Sequence, residues 1–260
     1  MKYELKGKWV LITGASSGFG AAAAVAFAAE GARLLLGARR MDRLEQVAGE
    51  SRKAGTPTAE FHSLDVTQTT SVNRFAEWVR TKTQTVDVLV NNAGGAHGLD
   101  SVASGKDVDW EAMLQTNVLG ILRMTRAVLP LMPQDTGASI INIGSTAGHT
   151  AYEGGAAYCA AKHGVVGLAR ALSLELKTTG VTVNAVCPGY TDTPLLANAV
   201  AIIAAKTGRS IEQSKSAFAS DNDDGRLISP EEVAQKVLWL CLPEANTVNG
   251  QAILMSGGPS

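Results

Sequence analysis

Residues 9–20 read WVLITGASSGFG, a short apolar run followed by a glycine-rich loop. Its first five residues are apolar or β-branched, as in a buried strand, and an alanine-rich helical stretch follows the glycines. Gly14 permits a tight turn, Gly18 lets the backbone approach a pyrophosphate, and Gly20 lets helix and strand pack closely. Free N–H groups at the start of the helix would face the phosphates. The stretch therefore predicts a dinucleotide-binding unit rather than a plain connecting turn.

The rest of the chain continues the alternation of strand and helix. Runs such as Val86–Val90 are apolar on both faces, which is typical of strands in a parallel sheet. The predicted strands are Trp9–Thr13, Arg33–Gly37, Glu60–Leu64, Val86–Val90, Ser139–Ile143, Thr182–Val186 and Ala252–Met255. The predicted helices are Phe19–Glu30, Asp42–Ala54, Thr70–Thr81, Trp110–Leu131, Tyr152–Thr178 and Pro230–Leu240. This order predicts an α/β fold, a doubly wound, mostly parallel sheet in one domain over residues 1–260.

Composition excludes several classes of function. The 260 residues are 45% hydrophobic and carry a net charge of −1, so nothing attracts the chain to nucleic acid or anionic membranes. No apolar run reaches the roughly 18–20 residues of a membrane span, and the amino terminus does not read as a signal peptide. The three cysteines, Cys159, Cys187 and Cys241, predict buried thiols in a cytoplasmic protein. No residue cluster has metal-ligand spacing, so no metal is expected.

The end of the second strand bears on which dinucleotide binds. NAD sites place a carboxylate there, which accepts hydrogen bonds from the ribose. Here that position is Ala38, and Arg39 and Arg40 follow at once. Guanidinium groups offer paired donors that match a phosphate. The sequence predicts NADP(H), with Arg39 as the main contact to the 2′-phosphate and Arg40 or Ser17 supporting it. The alternative is a solvated surface pair of arginines.

Tyr158 and Lys162 are candidates for proton transfer. They are four positions apart, so a helix places them on one face. A free tyrosine has a pKa of about 10, and a nearby ammonium would lower it toward neutrality. Ser145 follows the fifth strand, 158 − 145 = 13 positions before the tyrosine, where its hydroxyl can donate to a substrate oxygen. The tyrosine and lysine alone would suit an exposed helix face, but the serine favours a catalytic site.

These motifs together resemble the short-chain dehydrogenase/reductase family, from about Lys6 to Gly258. The matching motifs, in chain order, are Thr13-Gly14-x-x-x-Gly18-x-Gly20, Asn91–Gly94, Asn117, Ser145, Tyr158-x-x-x-Lys162 and Pro188-Gly189-x-x-x-Thr193. The resemblance implies a Rossmann fold with Tyr158 as the general acid and base. It also implies that Lys162 holds the nicotinamide ribose and that Asn117 reaches the lysine through a water.

The resemblance further implies where the cofactor lies. Asp65 is expected beside the adenine, with capping of the next helix as the alternative. The asparagine-containing turn Asn91–Gly94 would border the cofactor or only tie loops together, and Thr193 would contact the carboxamide. The expected cofactor residues are Gly14, Ser16, Ser17, Gly18, Phe19, Gly20, Arg39, Arg40, Asp65, Val66, Asn92, Ala93, Gly94, Tyr158, Lys162, Pro188, Gly189, Thr191 and Thr193.

Residues 194–225 are predicted to form a substrate lid of two short helices. The helices would join near Gly208, and Ser210 would cap the second one. The alternative is that the aliphatic side chains pack on the domain or on a neighbouring subunit. The region resembles family members that act on 3-oxoacyl thioesters and related ketones. The expected substrate contacts are Ser145, Tyr158 and Tyr190, with His97 and His149 on nearby loops, although surface roles suit these histidines equally.

The sequence therefore predicts an NADP(H)-dependent oxidoreductase that acts on a ketone or secondary alcohol. The alternatives are an NADP-linked hydroxysteroid or aryl-alcohol dehydrogenase and a non-catalytic dinucleotide-binding regulator; the intact Ser145, Tyr158 and Lys162 argue against the regulator. A homotetramer is predicted, with a homodimer as the alternative, because relatives pair through the helices Trp110–Leu131 and Tyr152–Thr178. The second helix is rich in small and apolar residues, which would otherwise pack within the subunit: Ala156, Ala157, Ala160, Ala161, Gly164, Val165, Val166, Gly167, Leu168 and Leu172.

Overall fold

The computed structural model describes residues 5–96, 100–134 and 137–257. Within these ranges, seven strands form one parallel sheet in the order β3-β2-β1-β4-β5-β6-β7. The strands are β1 (Trp9–Thr13), β2 (Arg33–Ala38), β3 (Ala59–Ser63), β4 (Val88–Asn91), β5 (Ser139–Ile143), β6 (Thr182–Pro188) and β7 (Ala252–Met255). The strand order reverses between β1 and β4, where such sheets bind ligands at their carboxyl ends. The predicted doubly wound sheet is confirmed.

Helices cover both faces of the sheet. They are α1 (Gly18–Ala29), α2 (Met41–Ala54), α3 (Thr69–Lys82), α4 (Asp107–Leu114), α5 (Gly120–Val128), α6 (Ala156–Glu175), α7 (Pro194–Thr207), α8 (Ile211–Ser220) and α9 (Pro230–Trp239). Alternate residues of β1 enter different cores: Val10 and Ile12 pack with α1, α2 and α9, whereas Leu11 packs with α3, α5 and α6. Among the described residues, no helix is both long and apolar enough to span a bilayer.

The segment predicted as the helix Trp110–Leu131 is helical in the structure, but it is not one regular α-helix. A π-helical turn, Gln115–Leu119, separates α4 from α5, and a short 3₁₀ turn ends the segment. The Asn117 side chain donates to the Met113 carbonyl at 2.9 Å, and Arg123 donates to the Gln115 carbonyl at 3.4 Å. These side chains satisfy carbonyls that the regular helical pattern would use. Hydrophobic periodicity does not reveal such competition, and π turns often occur at functional sites.

The predicted helix Tyr152–Thr178 is shorter in the structure and begins at Ala156. Gly154 has a φ of 75°, in the left-handed region that an α-helix does not use. Gly155 packs so closely under the Tyr152 ring that a Cβ there would overlap the ring. Tyr152 therefore lies before the helix, and Tyr158 lies in its first turn.

The two-helix arrangement predicted for residues 194–225 is confirmed. Gly208 joins α7 to α8 with a φ of 71°, and Ser210 caps α8 through a reciprocal pair of hydrogen bonds with Gln213. Thr193 caps α7, because its hydroxyl accepts from the Leu196 amide at 3.4 Å. We call residues 194–220 the α7–α8 hairpin. It lies beside the carboxyl ends of the strands, where it can border a ligand.

Candidate active site

A cavity of about 270 Å³ lies at the carboxyl ends of the strands. Residues that follow six strands line it, so the sheet brings together segments that are far apart in the chain. Fifteen of the expected cofactor residues are among them: Gly14, Ser16, Ser17, Gly18, Phe19, Arg39, Arg40, Asp65, Val66, Asn92, Ala93, Gly94, Tyr158, Lys162 and Thr193. Gly20, Pro188, Gly189 and Thr191 do not line it.

The glycine loop after β1 packs directly against the turn after β4. A Cβ at Gly14 would lie 2.8 Å from the Ala93 Cα, which is closer than atoms can approach. The Asn92 side chain donates to the carbonyls of Thr13 at 2.9 Å and Gly14 at 3.1 Å. Gly20 leaves room for that amide, since a Cβ there would lie 2.5 Å from its nitrogen. Gly20 therefore serves the packing of this loop and does not face the cavity.

The end of β2 places two arginines at the cavity. Ala38 is buried and offers no carboxylate, and both arginine side chains are exposed. The Arg40 guanidinium donates to the Ser17 hydroxyl at 2.7 Å and to the Ser16 hydroxyl at 3.1 Å. The expectation made Arg39 the main contact, whereas here Arg40 is the arginine bonded across the cavity. Together these groups form a cluster of donors suited to an anion.

Asp65 lines the cavity and also fixes the turn after β3. Its Oδ1 accepts from the Thr67 amide at 2.9 Å and from the Thr67 hydroxyl at 2.7 Å. Gln68, not Asp65, occupies the N-cap position of α3, and no side chain caps this helix, so the alternative interpretation of Asp65 as its cap is wrong. Asp65 remains a candidate for contact with a bound nucleotide.

Tyr158, Lys162 and Ser145 meet where β5 ends. Lys162 is only 5% exposed, and its Nζ donates to the Ile143 carbonyl at 2.9 Å. The same Nζ lies 5.6 Å from the centre of the Tyr158 ring. Ser145 begins the short 3₁₀ turn Thr146–Gly148, where its hydroxyl accepts from the Ala147 amide at 3.2 Å. The Tyr158 phenol and the Lys162 amine line the cavity. Ser145 does not line it, but its hydroxyl lies within hydrogen-bonding reach of Tyr158.

Burial dominates the protonation of this group. It raises the pKa of Tyr158 to about 12, although a hydrogen bond from Ser145 to the phenolate works in the opposite direction. Burial also lowers the pKa of Lys162 to about 8. The expectation that the ammonium brings the tyrosine's pKa toward neutrality is wrong for the protein without cofactor. The Lys162 Nζ bonds a backbone carbonyl, and desolvation outweighs its charge, so Tyr158 holds its proton at neutral pH.

Asn117 clamps the turn after β4. It is 1% exposed; its Nδ2 donates to the Gly95 carbonyl at 2.9 Å, and its Oδ1 accepts from the Gly95 amide at 3.2 Å. A Cβ at Gly94 would lie 2.8 Å from the Asn117 Oδ1 and 3.7 Å from the Lys162 Nζ. Asn117 and Lys162 therefore both lie close to Gly94. The Asn117 side chain bonds backbone groups and the Met113 sulfur, and its expected link through a water to the lysine stays a prediction.

The loop after β6 presents only part of its expected residues to the cavity. Thr191 is buried, donates to the Gly189 carbonyl at 3.1 Å and pairs with Ile228 in an isolated bridge. These contacts shape the loop, and Thr193 at its end lines the cavity. The ring of Tyr190 packs on the ring of Phe218, with centres 4.9 Å apart. This contact ties the loop to the α7–α8 hairpin.

The two histidines expected to contact substrate have different outcomes. His149 does not line the cavity, and its Nε2 is buried. Burial, followed by the charges of Arg170 and His163 on α6, lowers its pKa. His149 therefore faces α6, because its short 3₁₀ turn packs on that helix. His97 lies outside the described residues.

Sequence reasoning missed several residues that line the cavity: Leu64, Thr67, Gly95, Thr116, Ile143, Gly144, Pro194 and Leu195. Most are neighbours of expected residues, so strand ends alone could have indicated them. Thr116 differs, because it reaches the cavity from the π-helical turn. Within the part of the chain that the structure describes, no group of His, Cys, Asp and Glu is arranged to hold a metal ion.

Comparisons with known proteins agree with this geometry. The family model described as "short chain dehydrogenase" matches residues 8–202. A Streptomyces virginiae protein, named for a ketoacyl reductase of the monensin polyketide synthase, is 40% identical over 95% of each chain. A 3-oxoacyl-[acyl-carrier-protein] reductase of Thermotoga maritima is 35% identical over 98% of each chain.

Solved structures give the same result. A variant of actinorhodin polyketide ketoreductase with NADPH superposes with a TM-score of 0.90, at 36% identity and 96% coverage of each chain. L-sorbose reductase from Gluconobacter frateurii, complexed with NADPH and L-sorbose, gives a TM-score of 0.91 at 29% identity, over 99% of this chain and 98% of that one. With its parallel sheet, its glycine loop and these relatives, the chain belongs to the short chain dehydrogenase family.

Proposed function

We propose that this protein is an NADP(H)-dependent oxidoreductase that interconverts a ketone and a secondary alcohol, with Tyr158 as proton donor or acceptor. One observation carries the proposal: the cavity bordered by the glycine loop at one end contains Tyr158 and Lys162 at the other. A phosphate-binding loop and a proton-transfer group are thus joined by one continuous space.

The residues at the cavity fit a phosphorylated dinucleotide. The loop approaches the turn after β4 so closely that Gly14 has no room for a side chain. No side chain caps α1, so the first backbone N–H groups of this helix can donate to phosphates. Ala38 lacks the carboxylate of NAD sites, and Arg40 with Ser16 and Ser17 supplies donors for a 2′-phosphate. The NADPH complexes of the two structural relatives support the same cofactor.

The side chains at the cavity would each perform one part of the reaction. A bound nicotinamide supplies or accepts the hydride. Tyr158 holds its proton at neutral pH, because burial raises its pKa to about 12, and donates it to the carbonyl oxygen during reduction. Ser145 donates a hydrogen bond to that oxygen as charge develops on it. Lys162 holds the ribose, and its ammonium stabilises the tyrosinate that remains. Oxidation of an alcohol uses the same groups in reverse.

The substrate class is a ketone with an apolar or aromatic body. Relatives named as ketoacyl reductases support a 3-oxoacyl-like ketone. The exposed aliphatic residues of the hairpin, Leu195 and Ile202, and the paired rings of Tyr190 and Phe218 give this side an apolar character. A 3beta-hydroxysteroid dehydrogenase of Mediterraneibacter gnavus, 33% identical, keeps hydroxysteroids as the second candidate substrates.

The test is a panel assay in both directions. Loss of NADPH absorbance is followed with 3-oxoacyl thioesters, cyclic ketones and 3-oxosteroids, and gain of absorbance is followed with the matching alcohols and NADP⁺. We expect turnover with at least one ketone and a preference for NADPH over NADH. Binding of NADPH without turnover of any carbonyl compound would instead support a dinucleotide-binding regulator.

We further propose that the protein forms a homotetramer. Val165, Val166 and Leu172 of α6, which the sequence suggested as part of a subunit contact, are instead buried within the subunit. The apolar surface lies elsewhere: Leu174 on α6 is 70% exposed, and Val108 and Leu114 on α4 are 64% and 42% exposed. Because α4 packs against α6, paired copies would cover these residues together. Light scattering tests this, because a particle near the monomer mass of 27.0 kDa contradicts assembly and a dimer contradicts only the tetramer.

The thiols support a reducing compartment, and we propose the cytoplasm. Cys159, Cys187 and Cys241 are all free, and the first two are buried. A protein whose thiols are unpaired and shielded in this way needs no oxidising environment for its stability.

A further inference from the structure

Asn222 makes an unusual set of hydrogen bonds just beyond the end of α8. It is 5% exposed, and its Oδ1 accepts from the Tyr190 amide at 3.0 Å. Its Nδ2 donates to the Tyr190 carbonyl at 2.8 Å and to the Arg226 carbonyl at 2.7 Å. One side chain thus pairs with both backbone groups of Tyr190, as a neighbouring strand would. Both protons of the Asn222 side-chain amide are donated in hydrogen bonds.

The contact is close and is supported from two directions. A Cβ at Gly189 would overlap the Asn222 Oδ1, so the glycine lets the amide reach the loop. On the other side of the loop, the Ile228 amide also donates to the Tyr190 carbonyl, at 3.0 Å. The amide of the next residue, Asp223, donates to the Ser256 carbonyl at 2.9 Å, just beyond β7. Asn222 therefore joins the hairpin, the loop after β6 and the edge of the sheet.

Side-chain contacts link the same two segments. The Tyr190 ring packs on Phe218 of α8, and the Lys215 Nζ of α8 lies 2.8 Å from the Asp192 carboxylate. Tyr190 itself does not line the cavity, whereas Thr193, three residues further along the same loop, does. The loop that α8 contacts therefore runs to the wall of the cavity that Tyr158 also lines.

We propose that Asn222 is a positioning residue for ketone binding: it fixes the loop after β6 so that Tyr190 borders the ketone beside Tyr158. This inference rests on the proposed reductase function. Asn222 acts through the loop and does not touch the reacting atoms. Among the described residues the Tyr190 amide bonds only Asn222, whereas the Tyr190 carbonyl is shared by Asn222 and Ile228. The glycine loop and the arginines are held by other contacts. Loss of the Asn222 hydrogen bonds should therefore weaken binding of the ketone and leave binding of the cofactor largely unchanged.

The variant Asn222→Asp tests this with little change in shape. Aspartate keeps an acceptor for the Tyr190 amide but loses the two N–H donors, so carboxylate oxygen faces the carbonyls of Tyr190 and Arg226. We expect the KM for the ketone to rise about tenfold or more, the factor that corresponds to about 1.4 kcal/mol. The Kd for NADPH should change less than about threefold. The rise in KM should grow with pH, because ionisation of the new carboxyl increases its repulsion from both carbonyls.

Asn184→Asp is the matched control. Asn184 is fully buried in β6, and its amide likewise joins one backbone carbonyl, that of Val248 at 2.7 Å, and one backbone amide, that of Gln251 at 3.0 Å. It lies outside the cavity, so Asn184→Asp should reduce stability without changing the ketone's KM. An equal rise in KM in the control, or an unchanged KM in Asn222→Asp, would overturn the proposal.

A second variant and a second measurement keep the question decidable. If Asn222→Asp does not fold, Phe218→Leu removes the ring contact at a half-buried position and should raise the ketone's KM without changing the Kd for NADPH. If the wild type reduces no ketone, the reductase function fails. Hydrogen exchange of the Tyr190 amide then decides whether Asn222 holds the loop after β6. Faster exchange in Asn222→Asp than in Asn184→Asp supports this role of Asn222, and equal exchange in the two variants contradicts it.

Discussion

The two sides of the cavity are held in place by different kinds of contact. On the cofactor side, the Asn92 amide bonds the Thr13 and Gly14 carbonyls, and glycines remove the side chains that would keep the loops apart. On the substrate side, two exposed ion pairs join the α7–α8 hairpin to the rest of the protein, beside the Tyr190–Phe218 ring contact and the bonds of the buried Asn222. Exposed pairs contribute only about 0–1 kcal/mol each. We therefore expect the cofactor side to be the rigid side of the cavity and the substrate side to be the adjustable one.

The largest expected effect comes from a change on the rigid side that affects only proton transfer. Tyr158→Phe deletes only the hydroxyl that moves the proton. We expect kcat to fall by about 10²–10⁴-fold, the usual contribution of general acid–base catalysis, with an unchanged Kd for NADPH. Steady-state kinetics and a fluorescence titration measure the two quantities. Turnover close to that of the wild type would show that another group carries the proton.

Lys162→Met separates the stability of the rigid side from its function. Folding lowers the pKa of this amine from 10.5 to about 8, so between these pH values the folded protein binds fewer protons than the unfolded chain. The lysine therefore destabilises the fold fully below pH 8, and this cost disappears as the pH rises to 10.5.

We expect cofactor-free Lys162→Met to lose turnover, yet to be more stable than the wild type at pH 7 by up to about 3 kcal/mol. The loss of the bond to the Ile143 carbonyl sets this figure as an upper limit. The advantage should shrink toward pH 10. Urea unfolding of both proteins at pH 7 and pH 10 measures it, and an advantage that does not change with pH would contradict the lowered pKa.

Arg40→Ala tests the cofactor side where the 2′-phosphate of the cofactor is expected to bind. Hydrogen bonds to charged groups contribute about 1.5–3 kcal/mol, so the preference for NADPH over NADH should fall about 10- to 150-fold. The ratio of kcat/KM for the two cofactors is the measurement, and Arg39→Ala beside it shows which guanidinium is the main contact. Arg43, exposed on α2 and outside the cavity, is the matched control. A preference that survives both Arg39→Ala and Arg40→Ala would remove the arginines from cofactor selection.

The smallest effect is expected on the adjustable side. Lys206→Met breaks the ion pair between α7 and Asp100, whose atoms are 3.8 Å apart and whose side chains are 60% and 40% exposed. The KM for the ketone should change less than about fivefold, and kcat should not change. Initial rates at low and moderate salt measure it. A tenfold effect would show that this pair latches the hairpin, and the contrast between the two sides would then be wrong.

Sequence reasoning succeeded where a property is local. Strand ends follow from runs of apolar residues, and the parallel sheet then places the residues that follow those strands together; this is why Gly14, Arg40 and Tyr158 are found around one cavity. The break at Gly208 and the cap at Ser210 were also predicted, because a left-handed residue and a helix start each have a preferred residue type.

It failed where a property depends on distant neighbours. At the π-helical turn and just after it, Asn117 bonds Gly95 and Arg123 bonds Val66, and the hydrophobic periodicity of the sequence does not indicate these distant partners. The direction of the pKa shift of Tyr158 depends on how much protein surrounds its hydroxyl, and sequence spacing indicates only the nearby charge. Asn222 was missed because it matches no motif; its partner Tyr190 lies 32 positions earlier in the chain.

The π-helical turn has a consequence for mutational scanning. A π turn holds one residue more than an α turn, so each residue after Leu119 is rotated by about 100° from the position that an unbroken helix would give it. Tolerance to polar substitution should therefore follow a period of about 3.6 residues along α4 and again along α5, with a phase slip between them. Deleting a single residue between Gln115 and Leu119 would restore one unbroken helical period from α4 through α5. It would also turn the whole of α5 relative to the sheet, so a one-residue deletion there should be tolerated less well than most substitutions nearby.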